Sequence, residues 1–286
     1  MKTGARKLHS ILFLLWVLIG LSVPLVSVHA SQVTYIPVYH YHNWEPFYFK
    51  EGASKKGFSL VLVEQLNEFF RKRRPDLKIY FRLQPIARPE LNQILKDGQQ
   101  GLILWANLLW FKRLFEQPYF IASAPIYWDN DAVVSLSKSP MEYVEPESLI
   151  GKHIGGLPGH YYHGVNQLVD QGKILRSNAI NDRTNLKRLI EGKVDAIIIT
   201  QTAFNFVKPD YPSVSFYQSF VPQDSYSRHI LITPEYQYME ELLNFFISSL
   251  PHNKEWVNVL AEYGLEDLVV PFTLDLNELN NFSIEK

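Results

Sequence analysis

Cysteine is absent from this 286-residue chain, so it has no disulfide framework, no thiolate metal site and no thiol nucleophile. An excess of positive charge is also lacking, because 28 basic residues stand against 29 acidic ones and the net charge is −1. Nucleic-acid binding needs concentrated positive charge. The run Arg71-Lys-Arg-Arg74 falls at the predicted end of a helix, where it complements the helix dipole. The composition therefore predicts no nucleic-acid partner.

Long apolar runs are missing after residue 30. Before that point, three basic residues precede an uncharged stretch from 11 to 28, and the segment ends in Val28-His-Ala30. This order of features is typical of a secretory signal peptide, which would comprise residues 1–30 and be cleaved after Ala30. We therefore expect the mature chain in the periplasm. An uncleaved anchor is the alternative, since about eighteen apolar residues can just span a bilayer. Pro24 and the small residues Val28 and Ala30, at the −3 and −1 positions of the expected cleavage site, favour cleavage.

Familiar catalytic and metal-binding motifs are missing too. The sequence has no Gly-x-Ser-x-Gly elbow and no His-Glu-x-x-His pair. His40 with His42, or His160 with His163, could help to hold a metal, but neither pair has the companion ligands of a known zinc site. Polar loop histidines are the favoured interpretation. We expect no catalytic residue, no metal and no cofactor.

What is present is an alternation of short apolar strands and amphipathic helices. Strands are predicted over 33–38, 77–83, 101–105, 131–137, 152–157 and 194–200. Helices are predicted over 59–73, 89–97, 162–170, 182–190, 235–250 and 254–263, with Asp182 as the cap of the fourth. The order of amphipathic helix, glycine stop and buried strand occurs at 93–104 and again at 187–199. Two α/β lobes of similar plan are the economical prediction.

Several short motifs carry a resemblance to a known family. They are Trp44-Glu-Pro-Phe47 with Gly57-Phe58-Ser-Leu60, Ser123-Ala-Pro-Ile-Tyr127, Leu149-Ile-Gly-Lys-His-Ile-Gly155 and Leu189-Ile-Glu-Gly-Lys-Val-Asp-Ala196. In this order and spacing they resemble the family-3 extracellular solute-binding proteins, which serve ABC importers of polar amino acids. The resemblance runs from about 33 to 263. It implies an α/β type-II periplasmic-binding-protein fold with two lobes, joined by two crossing segments, and a ligand in the cleft. On that template lobe 1 comprises 31–128 plus 222–286, and lobe 2 comprises 129–221.

The same resemblance implies a set of ligand-binding residues. Arg113 matches the arginine that holds a ligand carboxylate, for which the planar guanidinium fork is well suited. Trp44 matches an aromatic lid over the ligand, and Arg88 stands where the family often has a ligand-facing aromatic residue. Trp105 replaces a small serine, and Tyr161 lies in the segment that matches a Gly-Thr-Thr loop. Core packing or solvation is the alternative for each of these residues.

The presence or absence of charge at a few positions bears on the chemistry of the site. The residue that pairs with an α-ammonium in the family falls at Thr200, which has no carboxylate, and a buried ammonium without a counter-charge costs several kcal/mol. A second arginine, Arg88, would favour anionic solutes. Asp129 and Asp131 lie at the expected crossing, where acid–base chemistry and hinge solvation explain them equally well.

The resulting prediction is a monomeric extracytoplasmic binding protein, and not an enzyme. It captures a small polar solute, anionic or amino-acid-like, for the membrane permease of an ABC importer. A ligand-sensing module for a membrane receptor is one alternative. A dehydratase-like enzyme on the same fold is another.

Overall fold

The computed structural model describes residues 33–49, 56–112, 114–115 and 119–268. The predicted signal peptide lies outside these ranges. The strands are β1 (Thr34–His40), β2 (Ile79–Pro85), β3 (Leu102–Ala106), β4 (Ile121–Ala122), β5 (Tyr127–Leu136), β6 (His153–Gly156), β7 (Leu175–Asn178), β8 (Ala196–Thr200), β9 (Phe216–Gln218) and β10 (Asp224–Ile232). The α-helices are α1 (Phe58–Arg73), α2 (Arg88–Lys96), α3 (Val165–Asp170), α4 (Asp182–Ile190), α5 (Gln201–Val207), α6 (Glu240–Ser249) and α7 (Lys254–Glu262).

The strands form two sheet sections that share β10. The order is β2-β1-β3-β10-β5-β8-β6-β7, with β4 paired to β10 and β9 paired to β5. The second half of β10, from His229, pairs with β3 and β4, and its first half, Asp224 to Arg228, pairs with β5. We call the strands β2, β1, β3 and β4 the first section, and β5, β8, β6, β7 and β9 the second section. Strand β10 pairs with strands of both sections, and the chain crosses from β4 in the first section to β5 in the second, so β5 and β10 join the two sections.

Each section has a hydrophobic cluster on both of its faces. Along β1, Ile36 and Val38 face the cluster formed with α1, α6 and α7, whereas Tyr39 faces the cluster formed with α2. Along β8, Ile197 faces α4 and α5, and Ile198 faces the cluster formed with α3. This alternation follows from the two-residue period of a strand. Strands covered on both faces are expected to be almost continuously apolar, as β8 is from Ala196 to Ile199.

One close approach explains the Gly57-Phe58 motif. A Cβ atom on Gly57 would lie 2.4 Å from the carbonyl oxygen of Phe47, so a side chain does not fit there. The N–H groups of Phe58 and Ser59 donate to the carbonyls of Pro46 and Phe47. The loop after β1 is therefore fixed against the start of α1.

Two sequence predictions need correction. The cap of α4 is Asn181, whose side chain accepts a hydrogen bond from the N–H of Thr184 at 2.8 Å, and not Asp182, which is the first helical residue and is buried. The predicted helix over 235–250 is divided, because 234–239 forms a 3-10 helix before α6 begins at Glu240. Pro234 stands at the first position of that turn, where its missing N–H is not needed.

Candidate functional site at the junction of the sheet sections

Strands β5 and β10 bring polar side chains together where the two sections meet. They run antiparallel, with Asp129 opposite Tyr226 and Asp131 opposite Asp224. Because side chains alternate along a strand, Asp129 and Asp131 share one side of β5, and Tyr226 and Arg228 share one side of β10. The junction thus combines carboxyl groups, a phenol and a guanidinium.

Arg228 and Asp129 form a buried ion pair. Their side chains are 1% and 0% exposed, and both Nε and Nη2 of Arg228 lie 2.8 Å from Oδ2 of Asp129. Arg228 also donates from Nη1 to the carbonyl of Trp105 at 3.1 Å, and from Nη2 to the Tyr226 hydroxyl at 3.4 Å. The other oxygen of Asp129 accepts the N–H of Thr202 at 3.3 Å. Taking these charges out of water costs several kcal/mol per ion, so each depends on the other.

Aromatic rings surround the Arg228 guanidinium. Its Cζ lies 5.0, 5.1, 5.7 and 6.0 Å from the ring centroids of Phe47, Tyr226, Trp110 and Tyr127. Such rings attract a cation and exclude water from it. The charge of Arg228 is therefore enclosed by rings and balanced by Asp129.

Three histidines near the junction are neutral at pH 7. Nη1 of Arg228 lies 2.9 Å from Nε2 of His42, and because an arginine only donates, this nitrogen is the acceptor. Burial, reinforced by the charge of Arg228, lowers the pKa of His42 well below its ordinary value. Burial also lowers the pKa of His40 and of His160 to about 4.

Loops from the two sections touch through Trp44. This residue follows β1, and its ring centroid lies 5.5 Å from that of His160, which follows β6 in the second section. The Trp44 ring also lies 5.1 Å from the ring of His42. The Nε1 atom of Trp44 is buried and has no hydrogen-bond partner among the described residues.

Two more contacts join the sections beside Trp44. Glu45 accepts hydrogen bonds from Arg183 of α4, with Nη2 at 2.8 Å, and Arg183 also pairs with Asp210. The ring centroids of Phe49 and Phe206 lie 5.9 Å apart. The loop after β1 is thus held against the second section at three points.

Two further carboxyl groups lie near the ion pair. Asp131 accepts a hydrogen bond from the Tyr226 hydroxyl at 2.8 Å. Asp182 is 3% exposed, and neither of its oxygens has a partner among the described residues. Burial is the largest cause that raises the pKa of both carboxyl groups to about 7, and the negative charges of the neighbouring aspartates contribute to that rise.

The structure ties Arg88 to its own section. Nε donates to Asn92 at 2.9 Å and Nη2 donates to the carbonyl of Trp110 at 2.7 Å. The guanidinium carbon lies 3.9 Å from the Phe111 ring centroid and 4.9 Å from that of Tyr41. These contacts fasten the start of α2 to the loop after β3.

Trp105 and Thr200 are enclosed. Trp105 has no exposed surface, donates from Nε1 to Ser59 Oγ at 2.8 Å and stacks on Trp256 at a centroid distance of 6.2 Å. Thr200 is 4% exposed, and its hydroxyl caps α5 by accepting the N–H of Ala203 at 3.3 Å. In this structure Trp105 serves core packing and Thr200 serves helix capping.

Tyr161 and Arg113 complete the predicted set. Tyr161 is 52% exposed in the loop between β6 and α3, and Arg113 lies outside the described residues. Of the predicted set, Trp44 contacts the junction directly.

Arg228 and Asp182 were not predicted as site residues. The sequence around Arg228 could have indicated its role, because Arg228 precedes the run His229-Ile-Leu-Ile232 and a charge at the edge of an apolar strand needs a partner. Asp182 had none beyond its place before a helix, where capping is the ordinary explanation.

Two cavities lie on the surface away from this junction. One, of about 350 Å³, is lined by Thr184, Lys187, Arg188, Glu191 and Lys193. The other, of about 420 Å³, lies between α1 and the start of β2. Within the described ranges, no group of three or more His, Asp or Glu side chains is placed to hold a metal ion. No helix in those ranges is long and apolar enough to cross a membrane.

Comparison with known proteins establishes the fold. No family model and no curated protein sequence matches the chain. Among solved structures, a mutant of the arginine-binding protein ArgBP from T. maritima is 16% identical, with a TM-score of 0.58 over 80% of this chain and 95% of that one. The GluR0 ligand-binding core in complex with L-glutamate is 8% identical, with a TM-score of 0.58 over 82% and 99%. The ancestral amino-acid-binding protein AncCDT-1, a precursor of cyclohexadienyl dehydratase, is 12% identical, with a TM-score of 0.57 over 80% and 94%. The chain has the α/β type-II periplasmic-binding-protein fold, and the predicted fold class is confirmed.

Proposed function

We propose that this chain is an extracytoplasmic solute-binding protein that closes two lobes around a small polar solute. The lobes are 31–128 with 222–286, and 129–221. The observation that carries the proposal is the contact of Trp44 and Glu45, which follow β1, with His160 and Arg183 of the second section. Ligands of open α/β sheets bind beyond the carboxyl ends of the strands. Here those ends of the two sections meet, and the buried Nε1 of Trp44 has no hydrogen-bond partner among the described residues.

The hinge consists of β5 and β10. These strands connect the two sections, and the Arg228–Asp129 pair fastens them to each other at the crossing. Rotation about the pair separates the loop after β1 from α4 and the loop after β6. A solute shifts the protein toward the closed form by the contacts that it makes only there.

The solute is amino-acid-like rather than simply anionic. Proteins with this fold include an ancestral arginine-binding protein bound to arginine and another bound to glutamine, besides the L-glutamate complex. A purely anionic solute would need a free cation at the junction. Among the described residues, Arg228 is already paired with Asp129, and Arg88 donates within its own section.

The partner is the permease of an ABC importer, and the binding protein acts as a monomer in the periplasm after cleavage at Ala30. One compared structure is the substrate-binding protein of an amino-acid ABC transporter, 14% identical to this chain. A receptor-coupled sensor is the second candidate, because the GluR0 ligand-binding core has the same fold. Docking of the liganded protein to a receptor rather than to a permease would distinguish the sensor.

A thermal-shift screen tests the solute-binding function. Purified protein is melted with amino acids, amines, dicarboxylates and short peptides at several concentrations. A ligand that binds only the folded state raises the Tm in proportion to RT ln(1 + [L]/Kd), so the Tm should climb steadily with concentration. A flat response across the panel would contradict the proposal. Turnover of a stabilising compound would instead indicate an enzyme.

A further inference from the structure

The carboxyl group of Asp182 makes no capping hydrogen bond in its own helix. It lies in the first turn of α4, but Asn181 supplies the cap. Both carboxyl oxygens are buried and without a hydrogen-bond partner among the described residues, and the residue is 3% exposed. Burying a carboxylate in this way costs several kcal/mol unless a counter-charge or a proton arrives.

Asp182 lies at the edge of the second section that faces the junction. Strands β6 and β8 end at Gly156 and Thr200, and Asp131 is the partner of Thr200 in the pairing of β5 with β8. Helix α4 begins at this same edge, after β7. Burial is the main cause that raises the pKa of Asp182, and the nearby charges of Asp131 and Asp129 raise it further.

The charges around the junction do not balance. Three carboxyl groups, those of Asp129, Asp131 and Asp182, share the region with the guanidinium of Arg228. Arg228 pairs with Asp129, and within the described ranges Asp131 has only the neutral Tyr226 hydroxyl as a side-chain partner. Two carboxyl groups are therefore left without a paired cation among the described residues.

The other basic groups near this edge are occupied or neutral. Arg176 donates to the carbonyls of Leu157 and His160 at 2.8 and 3.0 Å, and its guanidinium carbon lies 4.5 Å from the Tyr162 ring centroid. The low pKa values of His42 and His160 keep both rings uncharged at pH 7. Near pH 7 the two unpaired carboxyl groups are therefore neutralised either by a proton, since both have a pKa of about 7, or by a cation that the described residues do not supply.

We propose that Asp182, assisted by Asp131, binds a positively charged organic group of the solute, an ammonium or a guanidinium. The inference rests on the proposed solute-binding function and adds the charge of the ligand to it. A carboxylate accepts charge-assisted hydrogen bonds from both kinds of group, and these are about twice as strong as neutral ones. Binding of the cation supplies the partner that the two oxygens of Asp182 lack.

Calorimetry on the purified full-length protein tests the assignment with matched solutes. The probes are L-arginine, L-lysine and putrescine, with 1,4-butanediol and succinate as uncharged and anionic counterparts of putrescine, and Mg²⁺ and Ca²⁺ alone as inorganic cations. We expect binding only from probes that carry an ammonium or guanidinium. Asp182→Asn should then weaken that binding by about tenfold or more, because the charge is lost while the shape is kept.

The controls separate charge from folding. Asp170→Asn makes the same change at an exposed position of α3 and should leave the affinity unchanged. The ligand-free Tm of Asp182→Asn should equal or exceed that of the wild type, which shows that the variant folds. Asp131→Asn is the second variant and should also weaken cation binding.

Three results would overturn the inference. If neutral or anionic solutes bind and cationic ones do not, the proposed function stands and the cation subsite falls. The subsite falls equally if Asp182→Asn binds cationic probes as tightly as Asp170→Asn, or if only Mg²⁺ or Ca²⁺ binds through Asp182. If none of the probes and no solute of the wider screen binds, the solute-binding function falls with it.

Discussion

Two aspartates at the junction are buried to a similar degree but differ in what surrounds them. Asp129 receives hydrogen bonds from Arg228 and from the N–H of Thr202, whereas Asp182 receives none from the described residues. The first is a structural charge whose desolvation is offset by its partners. The second has no such partner, so its burial as a carboxylate costs free energy in the ligand-free protein unless it takes up a proton or a cation binds.

Removal of Arg228 should destabilise the protein strongly. Arg228→Met leaves Asp129 buried without its counter-charge, and breaking a buried pair in this way costs about 3–5 kcal/mol. Urea denaturation measures the loss. Arg74→Met, which breaks an exposed pair with Asp76, is the control and should change the stability little. If Arg228→Met unfolds at the same urea concentration as Arg74→Met, the ion pair does not stabilise the fold.

The stability of Asp182→Asn should depend on pH in a defined direction. Burial raises the pKa of Asp182 to about 7 in the folded chain, above the ordinary aspartate value of about 3.9. The folded state therefore binds the proton more tightly, so the wild type loses stability as the pH rises between those two values. The asparagine has no proton to lose.

Melting curves of the ligand-free proteins check this expectation. The Tm gain of Asp182→Asn over the wild type should be small near pH 4 and should grow up to about pH 7. A Tm difference that stays constant over this range would show that Asp182 is not perturbed. Asp170→Asn, on the exposed face of α3, should follow the wild type at every pH.

The sequence alone could not assign the site at the residue level. Trp44 was predicted as a site residue, and its contacts place it at the junction. Trp105 was predicted from its alignment with a small serine, but nothing in the sequence shows that its indole packs against Trp256 and bonds to Ser59. Long-range partners of this kind depend on the tertiary fold, which local patterns do not contain.

At the scale of the elements, periodicity and glycine stops were sufficient for most helices and strands. A strand buried on two faces needs an apolar run, as in β8, and a helix buried on one face needs apolar residues at helical spacing, as in α1. Both patterns can therefore be recognised in the sequence. The start of α4 was misplaced by one residue, since Asn181 and Asp182 are both good caps. That single residue decides whether Asp182 caps a helix or points inward.

Loss of the Asn181 cap should weaken α4. Asn181→Ala removes the hydrogen bond to the N–H of Thr184 and should cost about 1 kcal/mol of unfolding free energy. Asn181→Ser keeps a capping oxygen and is the matched control, which should stay near the wild type. Chemical denaturation of the three proteins gives the comparison. Equal losses for alanine and serine would assign the effect to something other than capping.

On the scale of the whole molecule, the two sections are connected in two different ways. Strands β5 and β10 connect them through backbone pairing and a buried ion pair, which we expect to stay intact in the proposed hinge rotation. The Glu45–Arg183 pair and the Trp44–His160 contact connect them through side chains on loops and a helix end, which we expect to separate in that rotation. If the proposed closure occurs, these two contacts stabilise the closed form without touching the solute.

Arg183→Met tests whether a side-chain contact between the two sections stabilises the closed form. The variant loses the ion pair with Glu45 across the junction but no part of the Asp182 subsite, so the closed form should become less populated. Small-angle scattering of the ligand-free protein should show a larger radius of gyration than the wild type, and saturating solute should restore the smaller value. Lys187→Met, on the same helix but paired with Glu191 in its own turn, is the control and should scatter like the wild type. If Arg183→Met and Lys187→Met scatter alike and bind the solute alike, the contact between Glu45 and Arg183 does not govern closure.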